Sequence, residues 1–164
     1  MARYADGPTV QVTVDIAAAP ERVWDLVTDI NLPARFSSEF KGAEWVEGNG
    51  PALGARFVGY NERKTARWDT TCTVVEFEPL QRFGYAVEDV TNPAATWRFE
   101  LNPAAGGCRL TMWAQMGPGP SGVSGAISRN PEREAEIIAM RSEEWRHNMT
   151  ATLDGIQSLA EGNA

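Results

Sequence analysis

The sequence carries few residues that are suited to nucleophilic or metal chemistry. His147 is its only histidine, and its two cysteines, Cys72 and Cys108, lack the paired spacing of zinc and redox sites. No G-x-S-x-G motif and no P-loop is present. A serine–histidine pair would depend on His147, which lies about 200° around a predicted helix from Trp145 and so points outward. We therefore expect no metal site and no cofactor.

Tyr85 and Asn61 are the two candidates for chemistry inside the protein. Both fall on predicted strands, at positions whose alternation points them inward. A buried phenol can donate a proton and an amide can orient a carbonyl group, so either residue could assist enolisation of a bound substrate. The alternative is that Tyr85 forms an ordinary internal hydrogen bond and Asn61 anchors a ligand without reacting with it.

Seven strands and three helices are predicted to position these side chains. Residues 9–16 alternate strictly between apolar and polar types, which is typical of a half-buried strand. Pro20 then opens a helix, and a second short helix continues to Phe36. Six further strands are predicted at residues 43–47, 56–63, 67–77, 81–88, 96–101 and 109–115, with turns at 102–103 and 106–107. Short connections imply antiparallel neighbours, so the predicted fold class is α+β with the helices on one side of the sheet.

The C-terminal part of the chain combines a long loop with a long helix. Residues 117–130 are rich in glycine, proline and serine and are predicted to form a flexible loop. This loop is either a gate at a cavity entrance, with Val123 and Ile127 as apolar contacts, or an irregular surface loop. From Pro131 the apolar period changes to that of a helix. One side of that helix carries Ile138, Ser142, Trp145, Met149, Thr152, Leu153 and Ile156.

A curved sheet around one helix leaves either a cavity or a filled core between them. Composition alone favours the filled core, because tryptophan and tyrosine are also ordinary core residues. The inward positions nevertheless combine aromatic rings with a few scattered polar groups, which is the chemistry of a binding pocket. The predicted ligand-contacting residues are Phe57, Asn61, Trp68, Thr70, Cys72, Tyr85, Trp97, Phe99, Met112, Ser142, Trp145 and Met149.

Five segments resemble the START-like superfamily of helix-grip proteins. They are APERVWDLVTDI at residues 19–30, LGARF at 53–57, EPLQRF at 78–83, TWRFEL at 96–101 and GGCRLT at 106–111. The last four are similar to the strand-and-turn pattern of bacterial polyketide cyclase/dehydrase-like members. The resemblance implies a helix-grip fold, in which a seven-stranded curved antiparallel sheet wraps around a long C-terminal helix, with two short helices after the first strand.

The resemblance also implies a deep cavity that holds a lipid, a polyketide or another hydrophobic small molecule. Residues 29–44 are similar to a stretch of the aromatase/cyclase enzymes, but Phe40 stands where those enzymes place a tyrosine. Their inward arginine corresponds to a position near Cys72 or Val74, which cannot orient an oxygen as a guanidinium does. We therefore expect a carrier or sensor. The alternatives are a polyketide cyclase/aromatase/dehydrase-type enzyme and an interaction module that acts through the acidic C-terminal helix.

Charge and hydropathy set the remaining expectations. Fifteen Lys and Arg residues against 22 Asp and Glu residues give a net charge of −7, which argues against nucleic acid or an anionic membrane surface as the main partner. No apolar run is long enough for a membrane span, and the first residues lack the apolar core of a signal peptide. We expect a cytoplasmic monomer or homodimer that forms one START-like domain over residues 1–164, with an ordered core at about 9–161.

Overall fold

The computed structural model describes residues 1–162 and contains one sheet of seven antiparallel strands. The strands are β1 (Thr9–Ile16), β2 (Phe40–Glu47), β3 (Arg56–Arg63), β4 (Ala66–Glu78), β5 (Arg82–Val87), β6 (Ala95–Ala104) and β7 (Gly107–Met116). Their order is β1-β7-β6-β5-β4-β3-β2. The strands β2 to β7 therefore form a meander, and β1 pairs with the last strand of that meander.

Within residues 1–162, three α-helices accompany the sheet. They are α1 (Pro20–Val27), α2 (Gly122–Arg129) and α3 (Glu134–Ala160), with single 3₁₀ turns at Tyr4–Asp6, Leu32–Arg35 and Pro131–Arg133. The sheet curves around α3, so the helix-grip fold expected from the sequence is confirmed. Among the described helices, none has the length and apolar character needed to cross a lipid bilayer.

The strand β1 follows its alternating sequence pattern. It pairs with β7 along its whole length, from Thr9 opposite Gln115 to Ile16 opposite Cys108. Ile16 is buried, whereas the carboxylate of Asp15 is exposed and ion-paired with Arg109 across the two strands at 2.8 Å. Because an exposed ion pair adds little stability, burial of the apolar face determines the register of β1.

The turn predicted at residues 102–103 is wrong, since β6 continues through both residues. Pro103 lies opposite Cys108 of β7, but the ladder between β5 and β6 ends where Arg82 pairs with Glu100. Beyond that pair, the end of β6 has a neighbour on one side only. Proline is tolerated there because its missing N–H is not needed by a second strand.

The segment predicted as a loop at residues 117–130 contains the helix α2, so that prediction is wrong over Gly122–Arg129. Ser121 and Ser124 form a capping box in which each backbone N–H donates to the other hydroxyl, at 3.1 and 2.8 Å. This reciprocal cap satisfies two N–H groups that a helix start leaves unpaired. A segment rich in serine and glycine is predicted as a loop from its composition. The helix was missed because its start depends on hydrogen bonds to serine hydroxyls.

The C-terminal end of α3 is fixed against α1 and the segment that follows it. Arg22 of α1 donates hydrogen bonds to the carbonyl oxygens of Leu159 and Ala160, at 2.6 and 2.8 Å. The guanidinium thus satisfies carbonyl groups that a helix end leaves free. A Cβ atom at Gly155 would lie 2.5 Å from the ring of Phe36. Glycine therefore permits the close approach of this ring to the helix.

Candidate functional site

A cavity of about 920 Å³ lies between the concave face of the sheet and α3. Small-molecule sites in proteins usually measure about 300–1,000 Å³, so this volume suits a ligand. Side chains of β3 to β7 form the sheet wall, and α2 and α3 contribute to the opposite side. The interior is therefore hollow, and the filled-core alternative is not what the structure contains.

Eleven of the twelve predicted ligand-contacting residues line this cavity. They are Phe57, Asn61, Trp68, Thr70, Cys72, Tyr85, Trp97, Phe99, Met112, Trp145 and Met149. The sheet brings most of them together because alternate residues of neighbouring antiparallel strands share one face.

Ser142 is the exception, because it is not among the side chains that line the cavity. The cavity face of α3 carries Arg141, Trp145, Asn148 and Thr152. Ser142 lies about 100° around the helix from Arg141, at the margin of this face. The apolar stripe in the sequence of α3 is wider than the part of the helix that borders the cavity. The stripe therefore could not distinguish residues that line the cavity from residues beside them, such as Ser142, that do not.

Tyr85 presents a neutral hydroxyl group to the cavity. Its ring lies within an aromatic cluster, with centroids 5.0 Å from Phe57 and 6.0 Å from Phe83. Burial raises the pKa of this phenol well above its ordinary value, and the neighbouring Cys72 raises it further. No hydrogen bond from a described residue contributes to that shift. The group is therefore a protonated donor that a ligand can reach.

Cys72 lies beside Tyr85 and remains a thiol. Burial raises its pKa from 9.0 to about 12, a weak hydrogen bond with Thr70 opposes this change, and the negative charge of Glu88 adds to it. The Thr70 hydroxyl is 3.9 Å from the sulfur. Together with Asn61, these residues form the polar part of an otherwise mostly apolar sheet wall.

An aromatic contact joins the sheet wall to the helix wall. The rings of Trp97 on β6 and Trp145 on α3 lie 4.7 Å apart between centroids, at an angle of 49°. The Arg141 guanidinium lies 6.0 Å from the Trp145 ring centroid. The aromatic wall formed by Trp97 and Trp145 is therefore adjacent to the charged side chain of Arg141.

Four charged residues that line the cavity, Glu39, Arg63, Arg141 and Glu144, form ion pairs with one another, and we call them the mouth network because two of them also reach the solvent. Arg141 donates two hydrogen bonds to the carboxylate of Glu39, at 2.7 and 2.9 Å. Arg63 is ion-paired with Glu144, which also lies 3.6 Å from Arg141. The side chains of Glu39 and Arg141 are only 16% and 15% exposed, whereas those of Arg63 and Glu144 are 44% and 38% exposed. The network therefore extends from the interior to the solvent.

The mouth network was missed by the sequence reasoning because its members come from three separate parts of the chain. Burial alone would lower the pKa of Arg141, but the hydrogen bond from Arg141 to Glu39 and the charges of Glu39 and Glu144 raise it overall. The one local signal was the spacing of Arg141 and Glu144, which are three residues apart and share a helix face with Trp145.

The helix α2 borders the cavity with side chains that are only partly buried. Val123 lines the cavity, whereas Ile127 packs against the core and is not part of the lining. No residue of α2 is fully buried. The preceding segment is anchored by Tyr4, whose hydroxyl donates to the carbonyl oxygen of Gly119 at 2.6 Å.

The sequence model of one protein family, described as polyketide cyclase / dehydrase and lipid transport, matches residues 7–161. The chain belongs to this family. The match includes every residue that lines the cavity, since these lie between Val27 and Thr152. The resemblance to bacterial polyketide cyclase/dehydrase-like proteins is thereby confirmed. A search of curated proteins found no significant match.

Solved structures share the architecture of this polyketide cyclase/dehydrase family member. The Polyketide_cyc-like protein Cgl2372 from Corynebacterium glutamicum is 28% identical with a TM-score of 0.68, over 94% of this chain and 92% of that one. The di-domain ARO/CYC BexL from the BE-7585A biosynthetic pathway is 19% identical with a TM-score of 0.71, over 94% of this chain and 50% of that one. Ara h 8.0201 is 12% identical with a TM-score of 0.61, over 96% and 99% of the two chains. The last two similarities concern the fold alone.

Proposed function

We propose that this protein binds a hydrophobic small molecule in its cavity and acts as a carrier or sensor that does not convert the ligand. The observation that supports this role is a cavity of about 920 Å³ whose walls are mostly aromatic and aliphatic, with a smaller share of polar and charged side chains. Burial of apolar surface supplies the affinity, at roughly 25 cal/mol per Å² before the costs of ordering. The polar groups determine how the ligand is oriented.

The state of the polar groups supports binding rather than catalysis. Cys72 is a thiol with a pKa of about 12, so it is neither a nucleophile nor a base near neutral pH. The carboxylates of Glu39 and Glu144 are held in ion pairs with arginines. On β4, the inward position Cys72 carries no guanidinium that would polarise a carbonyl group.

A polyketide cyclase/aromatase/dehydrase-type enzyme is the second candidate, and Tyr85 is the observation that favours it. Its protonated hydroxyl faces the cavity, where it would donate to the oxygen of a bound ketone. Asn61 lines the same cavity and would orient the substrate. In the carrier the same hydroxyl donates a hydrogen bond and the proton stays on Tyr85.

Native mass spectrometry of the purified protein, followed by extraction and identification of bound molecules, tests the proposed binding. The expected result is one hydrophobic molecule per chain, either retained from the host or taken up from an added ketone-bearing polycyclic compound. A protein that retains nothing and takes up no added hydrophobic compound would contradict the proposal. An extracted mixture of substrate and product would favour the enzyme instead.

Tyr85→Phe is expected to weaken binding of a ketone-bearing apolar ligand about three- to tenfold, because one hydrogen bond is lost. The shape of the cavity and the stability of the fold should change little, because the hydroxyl has no hydrogen-bond partner among the described residues to lose. Fluorescence titration measures the affinity. Tyr60→Phe is the matched control, since that exposed hydroxyl donates to Glu44 on the outer face. Equal effects of the two substitutions would count against the assigned role of Tyr85.

We further propose that α2 is a gate whose opening admits the ligand. Ser121→Ala removes the cap of this helix, which costs about 0.5–2 kcal/mol, and is expected to speed tryptic cleavage after Arg129 about threefold or more. Bound ligand should slow the cleavage in both the parent protein and the Ser121→Ala variant, because Val123 and Ala126 border the cavity. Ser128→Ala is the control, as this exposed serine does not cap the helix. Cleavage that is unchanged by ligand would remove the gate from the proposed mechanism.

A further inference from the structure

Every arginine that lines the cavity within residues 1–162 is already paired with a carboxylate. The pairs are Arg63–Glu144, Arg133–Glu136 and Arg141–Glu39. By contrast, Asp29 and Glu88 also line the cavity, and neither forms an ion pair with a described residue. A ligand carboxylate would therefore meet no free cation, and its desolvation in the mostly apolar interior would be unfavourable. Asp29 and Glu88 are exposed, so solvent screens their negative charges and they add little to this effect.

The pair of Glu39 and Arg141 has the geometry of anion recognition. Two hydrogen bonds of 2.7 and 2.9 Å join the two terminal nitrogens of the guanidinium to the two oxygens of one carboxylate. This two-point arrangement is the one by which arginine binds the carboxylate of a ligand. Here the anion belongs to the protein itself. Both side chains border the cavity, and Arg141 lies next to Trp145 of the aromatic wall.

We propose that Glu39 makes the cavity selective for uncharged hydrophobic ligands, because it occupies the guanidinium of Arg141 that would otherwise bind a ligand carboxylate. This inference rests on the proposed binding function and adds the chemical class of the ligand. That class is a neutral apolar molecule with a hydrogen-bond acceptor, such as a ketone or an ester, for the Tyr85 hydroxyl. A free fatty acid is disfavoured, since it would have to displace Glu39 from Arg141 and leave that largely buried carboxylate with only Arg63, at 3.9 Å, as a cationic partner.

Glu39→Gln tests the inference directly, because glutamine keeps the size of the side chain but removes its charge. Arg141 then keeps only Glu144, at 3.6 Å, as a charged partner. A ligand carboxylate gains access to a strong two-point donor. We expect the affinity for a carboxylic acid to rise about tenfold or more in this variant, while the affinity for the matching ester stays within about twofold.

The measurement is displacement of the neutral dye Nile red by lauric acid and by methyl laurate, at a pH at which the acid is ionised. The two ligands share one apolar chain and differ in charge at one end. The parent protein is expected to prefer the ester, and Glu39→Gln should narrow or reverse that preference. Glu47→Gln is the matched control, because it removes an exposed pair with Arg56 that does not border the cavity.

A second variant tests whether any gain in affinity for lauric acid depends on the guanidinium of Arg141. In the chain with both Glu39→Gln and Arg141→Gln, the gain for lauric acid should disappear. Methyl laurate monitors the integrity of the cavity in every variant. Equal affinity of the parent protein for acid and ester, or a gain for the acid that survives loss of Arg141, would overturn the inference and leave the binding function intact. Failure of Nile red and of both laurates to bind any variant would overturn the proposed function itself.

Discussion

Cys72 is expected to react with iodoacetamide about a thousandfold more slowly than an exposed cysteine at the same pH. The thiolate is the reacting species, and burial raises the pKa of this thiol from 9.0 to about 12. Below pH 9, each unit by which the pKa of a thiol rises lowers its thiolate fraction about tenfold. The side chain borders the cavity but is only 3% exposed, so restricted access lowers the rate in the same direction. Intact-mass spectrometry over time measures it.

Two chains isolate the thiols for this comparison. Cys108→Ala leaves Cys72 as the only cysteine. The exposed reference is Ser128→Cys in a chain whose two natural cysteines are replaced by alanine. Rates that agree within about tenfold would mean that the Cys72 thiol is far more acidic than its burial implies.

The raised pKa of Cys72 also makes the folded protein sensitive to alkali. Below about pH 9 the thiol is protonated in both the folded and the unfolded chain, so it does not affect stability. Above pH 9.0 the unfolded chain loses this proton first, and the folded thiol follows only near pH 12. The free energy of unfolding should therefore fall across this interval, by up to about 1.4 kcal/mol per pH unit.

Urea unfolding at about pH 8 and pH 10 measures this loss of stability. Cys72→Val keeps an apolar side chain of similar size and is expected to flatten the decline. The part that remains includes Tyr85, whose raised pKa acts in the same direction at higher pH. An equally steep decline in Cys72→Val would show that other groups account for the alkaline sensitivity.

Leu153→Ala is expected to lower the free energy of unfolding by about 2–5 kcal/mol, which is a large share of the stability of a domain. Leu153 is fully buried on α3 and belongs to the hydrophobic core. It does not border the cavity, so its loss creates a new void rather than enlarging the ligand site. Urea unfolding followed by tryptophan fluorescence measures the change.

Asp154→Ala is the matched control for this substitution, because the neighbouring side chain on the same helix is exposed. Its effect should stay within about 0.5 kcal/mol. A cost below about 1 kcal/mol for Leu153→Ala would show that the C-terminal half of α3 is less tightly packed than the structure indicates. Near-parental ligand affinity in the folded variant is expected, since Leu153 lies outside the cavity wall.

The strands were predictable because their signal is local. β1 and β3 have the predicted bounds, and the other strands differ by a few residues at their ends. Alternation reports which side of a strand is buried, and it is independent of the partner strand. The end of β6 differs because a proline is tolerated wherever a strand lacks a second neighbour. The helix α2 was missed since its start depends on hydrogen bonds between two serine side chains and the backbone.

By itself, the sequence determined which face of each strand is apolar and which aromatic and polar side chains share the inner surface. It could do so because side-chain direction follows from the period of the backbone. Only the tertiary structure decided that the interior is hollow, because a void depends on how far the sheet curves away from α3. It also decided that Glu39 meets Arg141. The two residues are 102 positions apart, and they come together only when the strands and the helix enclose the same cavity.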